Sequence, residues 1–364
     1  MGFDLSKITS LLKNEVTKTP AKSGVLGIDI GSSTIKIVQL HDVKGVPTLE
    51  TYGELQLGPY EGIDLGRNTH LHPQKTIEAL VDILREAGAT SKDASFALSY
   101  NSSFTTTISV PTIDQTKIGQ MIPVEARKYI PVSLNKVSLD WFPLTLNEEE
   151  KKTTVLISAI YTEALTRYES IMRGSGLTPI GSEIEMFSSI RATLSPKDGV
   201  VVILDCGALS TRMYIIKRGI VGKTHSVLLS GVELTHALEE ALQIEFKDAE
   251  DLKREVGLYG KEDDSRIQKA LIPVLERGLR ELHTVMRRYE ESESVSVEKI
   301  VLCGSGALLL GLSEYIQDMF SRPVSVATPF SKVAYPAFLE DTLSLTGPSF
   351  TIAVGVALTA FEDK

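Results

Sequence analysis

The chain is poor in the residues that staple or metallate small folds. Its two cysteines, Cys206 and Cys303, stand in apolar runs, VVILDC and IVLC. Thiols so placed read as buried structural residues of a reducing compartment. Two cysteines, and six histidines without metal-ligand spacing, make no zinc site. An excess of positive charge is also missing: 38 Lys and Arg face 47 Asp and Glu, for a net charge of −9. That balance argues against a nucleic-acid partner. It leaves a small anionic ligand open, because phosphate sites are built from backbone amides and one or two local cations. No apolar run approaches the roughly 18–20 residues that span a bilayer. The start, MGFDLSKITSLLKNE, spreads its apolar positions instead of gathering them as a secretory signal does. A cytoplasmic protein is expected. Tryptophan occurs once, as Trp141, and is expected in a core.

What is present is ordinary globular material, 42% hydrophobic and 23% charged over 364 residues, enough for two or more cores. Residues 25–40, VLGIDIGSSTIKIVQL, organise the rest. An apolar strand runs into Asp29-Ile30-Gly31-Ser32-Ser33-Thr34, and an alternating strand leaves it. Asp29 at a strand end can hold a hydrated Mg²⁺, and a turn at Gly31 can aim the Ser32 and Ser33 amides at an anion. Alone, D-x-G between β-like runs is also a common hairpin turn. Residues 199–216 repeat the design: an apolar strand, Asp205-x-Gly207, the polar pair Ser210-Thr211, and an alternating strand. An internal duplication of this kind means two similar domains with a cleft between facing tips, and two such tips can clamp the phosphates of one nucleotide.

Between the two copies, PQKTIEALVDILREAG reads as a helix punctuated by Pro73 and Gly88. Residues 101–158 read as strand, helix, strand, strand, a small α+β module inserted in the larger fold. Thr112 with Gln115 can cap its helix, and Pro123 can kink it. Glu185 stands at the mouth of a further helix. After the second copy come the charged helix AEDLKREVGLYG and a long amphipathic helix from Ser265 to Glu290 that Pro273 is expected to bend. Then KIVLCGSGALLLGL gives a strand and a tight turn at Gly304-Ser305-Gly306. A flat ring or a phosphate could lie against that backbone. FTIAVGVALTAF closes the chain as a small-residue helix, and residues 1–22 read as an amphipathic tail.

In this order the pieces resemble the actin, heat-shock chaperone and sugar-kinase superfamily. Its signature is a first phosphate loop (Asp29, Gly31, Ser32, Ser33), a connecting helix (Glu185), a second phosphate loop (Asp205, Gly207, Ser210, Thr211), an adenosine loop (Gly304, Ser305, Gly306) and a second connecting helix (Gly355). Lys36 falls where actin-like members place a phosphate-contacting lysine. Within the superfamily, IDIGSSTIKIVQL, EARKYIP with its following LDW strand, LTPIGSEIEMF and GSGALLLGL are most similar to the PilM family of type IV pilus assembly, over about residues 24–361. FtsA-like chains carry a C-terminal membrane helix after a linker; this sequence ends at TAFEDK, which weighs toward PilM.

The resemblance implies an α/β actin-like ATPase fold with duplicated ribonuclease-H-like domains and an inserted α+β subdomain. The expected division is a tail (1–22), domain 1 (23–100 and 159–198), the insert (101–158), domain 2 (199–345) and a C-terminal connecting helix (346–364). It also implies ATP with Mg²⁺ held through water by Asp29 and Asp205, phosphates on the amides of Gly31 to Ser33 and Gly207 to Thr211, and Lys36 adding charge. Glu185 would position a water for at most slow hydrolysis. Glu250 and Lys253 would meet ribose and base. The partner implied is the N-terminal cytoplasmic peptide of a PilN-like inner-membrane protein, gripped by the insert, so that the membrane is met only indirectly; self-association stays open. Removing residues 101–158 should abolish partner binding and leave nucleotide binding. The rival functions are an FtsA- or MreB-like filament former and a small-molecule kinase.

Overall fold

The computed structural model describes residues 24–147, 149–259 and 265–362. The amphipathic tail expected at residues 1–22 lies outside them. The first sheet has the order β3-β2-β1-β4-β8, built from β1 (Val25–Ile30), β2 (Thr34–Val43), β3 (Val46–Gln56), β4 (Asp93–Leu98) and β8 (Thr178–Ile184). The second has the order β11-β10-β9-β12-β13, from β9 (Val200–Cys206), β10 (Thr211–Lys217), β11 (Ile220–Val227), β12 (Lys299–Cys303) and β13 (Val324–Val326). In each sheet the central strand is antiparallel to the next one in sequence and parallel to the later one: β1 to β2 and β4, β9 to β10 and β12. The duplication legible at the two D-x-G tips is therefore a duplication of whole sheets.

The central strands are buried on both faces, which is why VVVILDC is apolar without alternation. In the first domain Leu26, Ile28, Ile35 and Phe96 pack under α1 (Pro73–Glu86) and α3 (Thr162–Gly174). In the second, Val202, Leu204 and Met213 pack on the buried stripe of α7 (Arg266–Glu293), Leu271 to Met286, which continues through Pro273.

The third sheet, β5-β7-β6, is the insert: β5 (Ser103–Val110), α2 (Gln115–Ala126), β6 (Val137–Asn147) and β7 (Lys152–Tyr161). Helix α2 starts at an Asp114 cap that accepts from the Thr116 amide at 2.9 Å, in place of the expected Thr112 cap, and runs through Pro123. The period-two alternation of β7 gives the sheet two different faces. Val155 and Ile157 join Ile118 and Ile122 of α2 in a small private core. Leu156, with Phe142 and Leu144, packs instead against Phe187 and Ile190 of α4 (Glu185–Thr193) and Val201 and Ile203 of β9. The insert thus shares a core with the main body, so excising residues 101–158 would bare that apolar face. Point changes are the cleaner test of partner binding.

The C-terminal helix α8 (Thr351–Leu358) is wholly buried. It crosses α4 so closely that a Cβ on Gly355 would stand 2.0 Å from the Ser188 carbonyl oxygen. Arg191 of α4 fastens the crossing: it pairs with Glu183 and Glu362 and donates to the Gly355 carbonyl at 3.1 Å. The helical stretch Ala337–Phe361 reaches a mean hydropathy of 1.5, enough by length and composition to cross a bilayer, where no such run was expected. With 78% of that window buried inside the protein, its apolarity is spent on the core.

Candidate functional site

The tips of β1–β2 and β9–β10 face one another across a cleft. A lobe of about 160 Å³ lies between them, bordered by Asp29, Gly31 to Thr34, Lys36, Glu185, Asp205, Gly207 to Ser210 and Arg212. The tips share one backbone design. The Gly31 amide donates to the Thr34 carbonyl at 2.9 Å, and the Gly207 amide to the Ser210 carbonyl at 3.0 Å. Neither glycine amide is therefore left to receive a phosphate, a correction to the expected cradle, which falls to the amides that follow. Nor does either glycine adopt a positive φ. Each is needed because an added Cβ would stand 3.1 Å (Gly31) or 3.0 Å (Gly207) from the carbonyl oxygen that closes its turn.

Each tip also sets a cation across the strand from its aspartate. Asp29 is registered with Lys36, and Asp205 with Arg212. The Lys36 ammonium donates to Thr34 Oγ1 at 2.5 Å and lies 3.9 Å from Glu54. Arg212 was missed from the sequence, although its offset from Asp205 equals that of Lys36 from Asp29. Its Nη1 lies 2.9 Å from Glu185 Oε1 and 3.5 Å from Asp205 Oδ2. Glu185 Oε1 also accepts the Tyr100 amide at 2.6 Å. The oxygen expected to steer a water is thus engaged twice, and Glu185 acts first as an anchor for Arg212.

Burial dominates the electrostatics. It pushes Asp29 up to about 6, with Lys36 opposing and Asp205 reinforcing. It pushes Glu185 up to about 7 against the pull of Arg212. Asp205 is raised for the same reason, and Arg212 is raised because its carboxylate neighbours outweigh its own burial. The guanidinium fills the space between Asp205 and Glu185, so a hydrated ion in this lobe would be held by Asp29 and Asp205 and not by Glu185. Among the described residues no group of three or more His, Cys, Asp or Glu side chains could hold a metal ion.

A second lobe of about 390 Å³ continues from the first, sharing Ser33, Thr34, Gly207, Ala208, Ser305 and Ser349. Its far wall is apolar, with Leu275, Leu279, Leu309 and Leu312. Ser305 and Gly306 line it; Gly304, with φ of 81°, turns the chain there and donates to the Pro348 carbonyl at 2.9 Å. Glu250 and Lys253, on α6 (Phe246–Val256), also line it but are spent on each other at 2.6 Å. Thr235 of α5 (Gly231–Leu242) completes the knot, donating to Glu250 at 2.5 Å and accepting from Lys253 at 2.7 Å. Lys253 also donates to the Gly231 carbonyl at 2.8 Å. Burial lowers Lys253; Glu250 is lowered too, because Lys253, Thr235 and Arg254 outweigh its burial.

The loop from Gly62 to His72 borders this lobe at Gly66. Gly66 lies against Glu250, and the Arg67 guanidinium stacks 4.0 Å from the centre of the Phe246 ring. Thr69 ties the same loop to the first tip, its amide and hydroxyl both donating to the Ser32 carbonyl at 2.8 and 3.0 Å. Behind it a separate groove of about 670 Å³ runs between the first domain and the insert. Leu57, Leu71 and Ile171 form its apolar part, with Ser102, Lys136, Glu163 and Arg167 as polar lining.

Duplicated sheets around a cleft with two matching tips define the class: this is an actin-like ATPase fold carrying an inserted subdomain. A model of the family described as type IV pilus assembly protein PilM matches residues 27–361. The chain belongs to that family. It is similar to a solved PilM–PilN type IV pilus biogenesis complex at 26% identity, covering 95% of this chain and 99% of that one with a TM-score of 0.78. Two more distant likenesses show the fold alone. The ethanolamine utilization protein EutJ of Carboxydothermus hydrogenoformans is 16% identical, with 94% and 92% of the two chains covered and a TM-score of 0.55. MreB5 of Spiroplasma citri bound to ADP is 12% identical, with 92% and 95% covered and a TM-score of 0.53.

Proposed function

We propose that the chain is a nucleotide-dependent scaffold of type IV pilus assembly, cytoplasmic and held at the inner membrane through a partner. The observation that carries this reading is the pair of matched tips opening into one continuous two-lobed cleft. ATP fits it in one sense. Its phosphates would lie in the small lobe, between the Ser32–Ser33 and Ala208–Ser210 backbones with Lys36 and Arg212 as cations. Its adenosine would lie in the larger lobe, against Gly306 and the leucine wall. Glu250 and Lys253 serve that wall by holding α5 to α6 and offer the sugar only their outer edges. Magnesium would be held through its water shell by Asp29 and Asp205, which border the small lobe beside the phosphates.

The chemistry favours holding over turnover. Phosphoryl transfer to water depends on positioning an attacking oxygen, and Glu185 is fixed by Arg212 and Tyr100. The partner in this reading is the N-terminal cytoplasmic peptide of a PilN-like membrane protein, lying in the groove between the first domain and the insert. A peptide there meets leucine and isoleucine side chains and a rim with both signs of charge, the usual make-up of a selective peptide groove.

The test has two arms. The purified chain is assayed for nucleotide retention beside Asp29→Ala and Asp205→Ala, with loss in both variants expected. It is then assayed for capture of a synthetic PilN-like N-terminal peptide beside Arg167→Glu, with weaker capture expected from the variant. A wild-type chain that takes up no ATP under any condition would sink the reading. Sedimentation with ATP distinguishes it from a filament former, which would pellet.

A further inference from the structure

One short turn borders both candidate sites. The apolar strand β4 ends at Leu98, and the polar run Ser99-Tyr100-Asn101-Ser102-Ser103 carries the chain from the first sheet into the insert. Residues Tyr100–Ser102 form a single tight turn. It is closed by the Ser102 amide donating to the Ser99 carbonyl at 2.8 Å and by the Ser103 hydroxyl donating to the Tyr100 carbonyl at 2.9 Å. Serines so placed favour local bonds over a continued strand. Ser99 and Asn101 line the small lobe of the cleft. Ser102, in the same turn, lines the groove between the first domain and the insert.

Tyr100 fixes this turn to both domains. Its amide donates to Glu185 Oε1 at 2.6 Å, at the start of α4. Its hydroxyl shares a hydrogen bond of 2.6 Å with the Thr224 hydroxyl of β11, in the second sheet. The ring stands beside Tyr214 of β10, with centroids 6.2 Å apart. The Thr224 bond lasts only while the two domains keep their present spacing, so parting them frees the turn on that side.

We propose that this turn couples the two sites, with Tyr100 as the positioning residue: nucleotide in the cleft tightens the groove for peptide, and peptide in the groove tightens the cleft for nucleotide. The proposal rests on the reading of the cleft as a nucleotide site and of the groove as a peptide site. A nucleotide gripped by both tips holds the second domain where Thr224 meets Tyr100, which steadies the Ser102 side of a turn too short to move in parts. Whichever ligand arrives first bears the cost of ordering the turn, and the second is spared it. The two effects are equal in size, because linkage between binding sites is reciprocal.

The experiment uses the full chain and a fluorescent N-methylanthraniloyl ATP with magnesium, titrated alone and again with a saturating synthetic PilN-like N-terminal peptide. The peptide should tighten wild-type nucleotide binding by about fivefold, the net worth of one hydrogen bond. Tyr100→Phe keeps the ring and the amide bond to Glu185 but loses the hydroxyl, and the peptide should then shift nucleotide affinity by less than about twofold. Thr224→Val removes the same bond from the other side and should do the same, with the double variant no worse than either. A purely structural loss would weaken binding and leave the ratio with and without peptide unchanged. Thermal melts of each variant check folding. Nucleotide and peptide that both bind the wild type with no effect on one another, or a ratio that survives in Tyr100→Phe, overturn the proposal and leave both binding sites standing. A wild type that binds no nucleotide overturns the nucleotide reading as well, and one that binds no peptide overturns the groove reading together with the proposal.

Discussion

The two hairpin tips carry the same backbone and opposite wiring. Both close with a glycine amide on a carbonyl three residues ahead, at 2.9 and 3.0 Å, and both set a cation across from an aspartate. The first cation remains in its own sheet, whereas the second spans the cleft floor to a helix that follows the first sheet. A duplicated frame conserves hydrogen-bonded turns, while the side chains that look into the cleft diverge. The first tip is therefore a local structure, and the second a strut between domains.

If that contrast holds, Arg212→Met should be the most damaging single change at either tip. It strands Glu185 and Asp205, both buried, and should lower unfolding free energy by about 3 kcal/mol in urea titrations. Lys36→Met should cost less, because of the carboxylates it leaves Glu54 is 30% exposed and 3.9 Å away, and Asp29, already pushed up to about 6, can take a proton. Equal losses would erase the distinction between strut and local structure.

The acids sharpen the comparison through pH. Asp29 is raised from 3.8 to about 6, so the folded chain keeps a proton there that the unfolded chain releases near 3.8. Stability from this group is present at low pH, falls as pH rises from about 4 to about 6, and is flat above. Asp29→Asn should remove that slope and stabilise the empty protein above pH 6 by about 2 kcal/mol, read from melts across the range. An unchanged slope would place the titration elsewhere.

The smallest effect should be the most symmetric. Gly31→Ala and Gly207→Ala each push a methyl to 3.1 or 3.0 Å from a turn carbonyl, and each should cost about 1 kcal/mol. Unequal losses would show that the two turns are less alike than their hydrogen bonds.

The sequence made the sheets legible because buried central strands are apolar throughout and their D-x-G ends recur. It made Asp29, Asp205, Lys36 and the Gly304 turn legible for the same reason. Arg212 escaped because the repeated D-x-G and polar-pair pattern ends at Ser210-Thr211, although the offset from the aspartate marks it as the counterpart of Lys36. The Glu250–Lys253 pair was visible as helix neighbours, but Thr235, which turns both inward, comes from another helix. The shared core beneath the insert was equally hidden. Alternation in β7 announces two faces without saying that one of them closes on β9 and α4.

The loop bearing Arg67 and Thr69 has a consequence in time instead of strength. Gly66 borders the larger lobe, and next to it a guanidinium rests on the Phe246 ring at 4.0 Å. A cation–π contact of this kind is worth only about 0.5–1 kcal/mol when exposed, too little to set an equilibrium by itself. Beside the two Thr69 bonds to the Ser32 carbonyl it is the weaker tether of the loop, so the loop opens first at its Arg67 end.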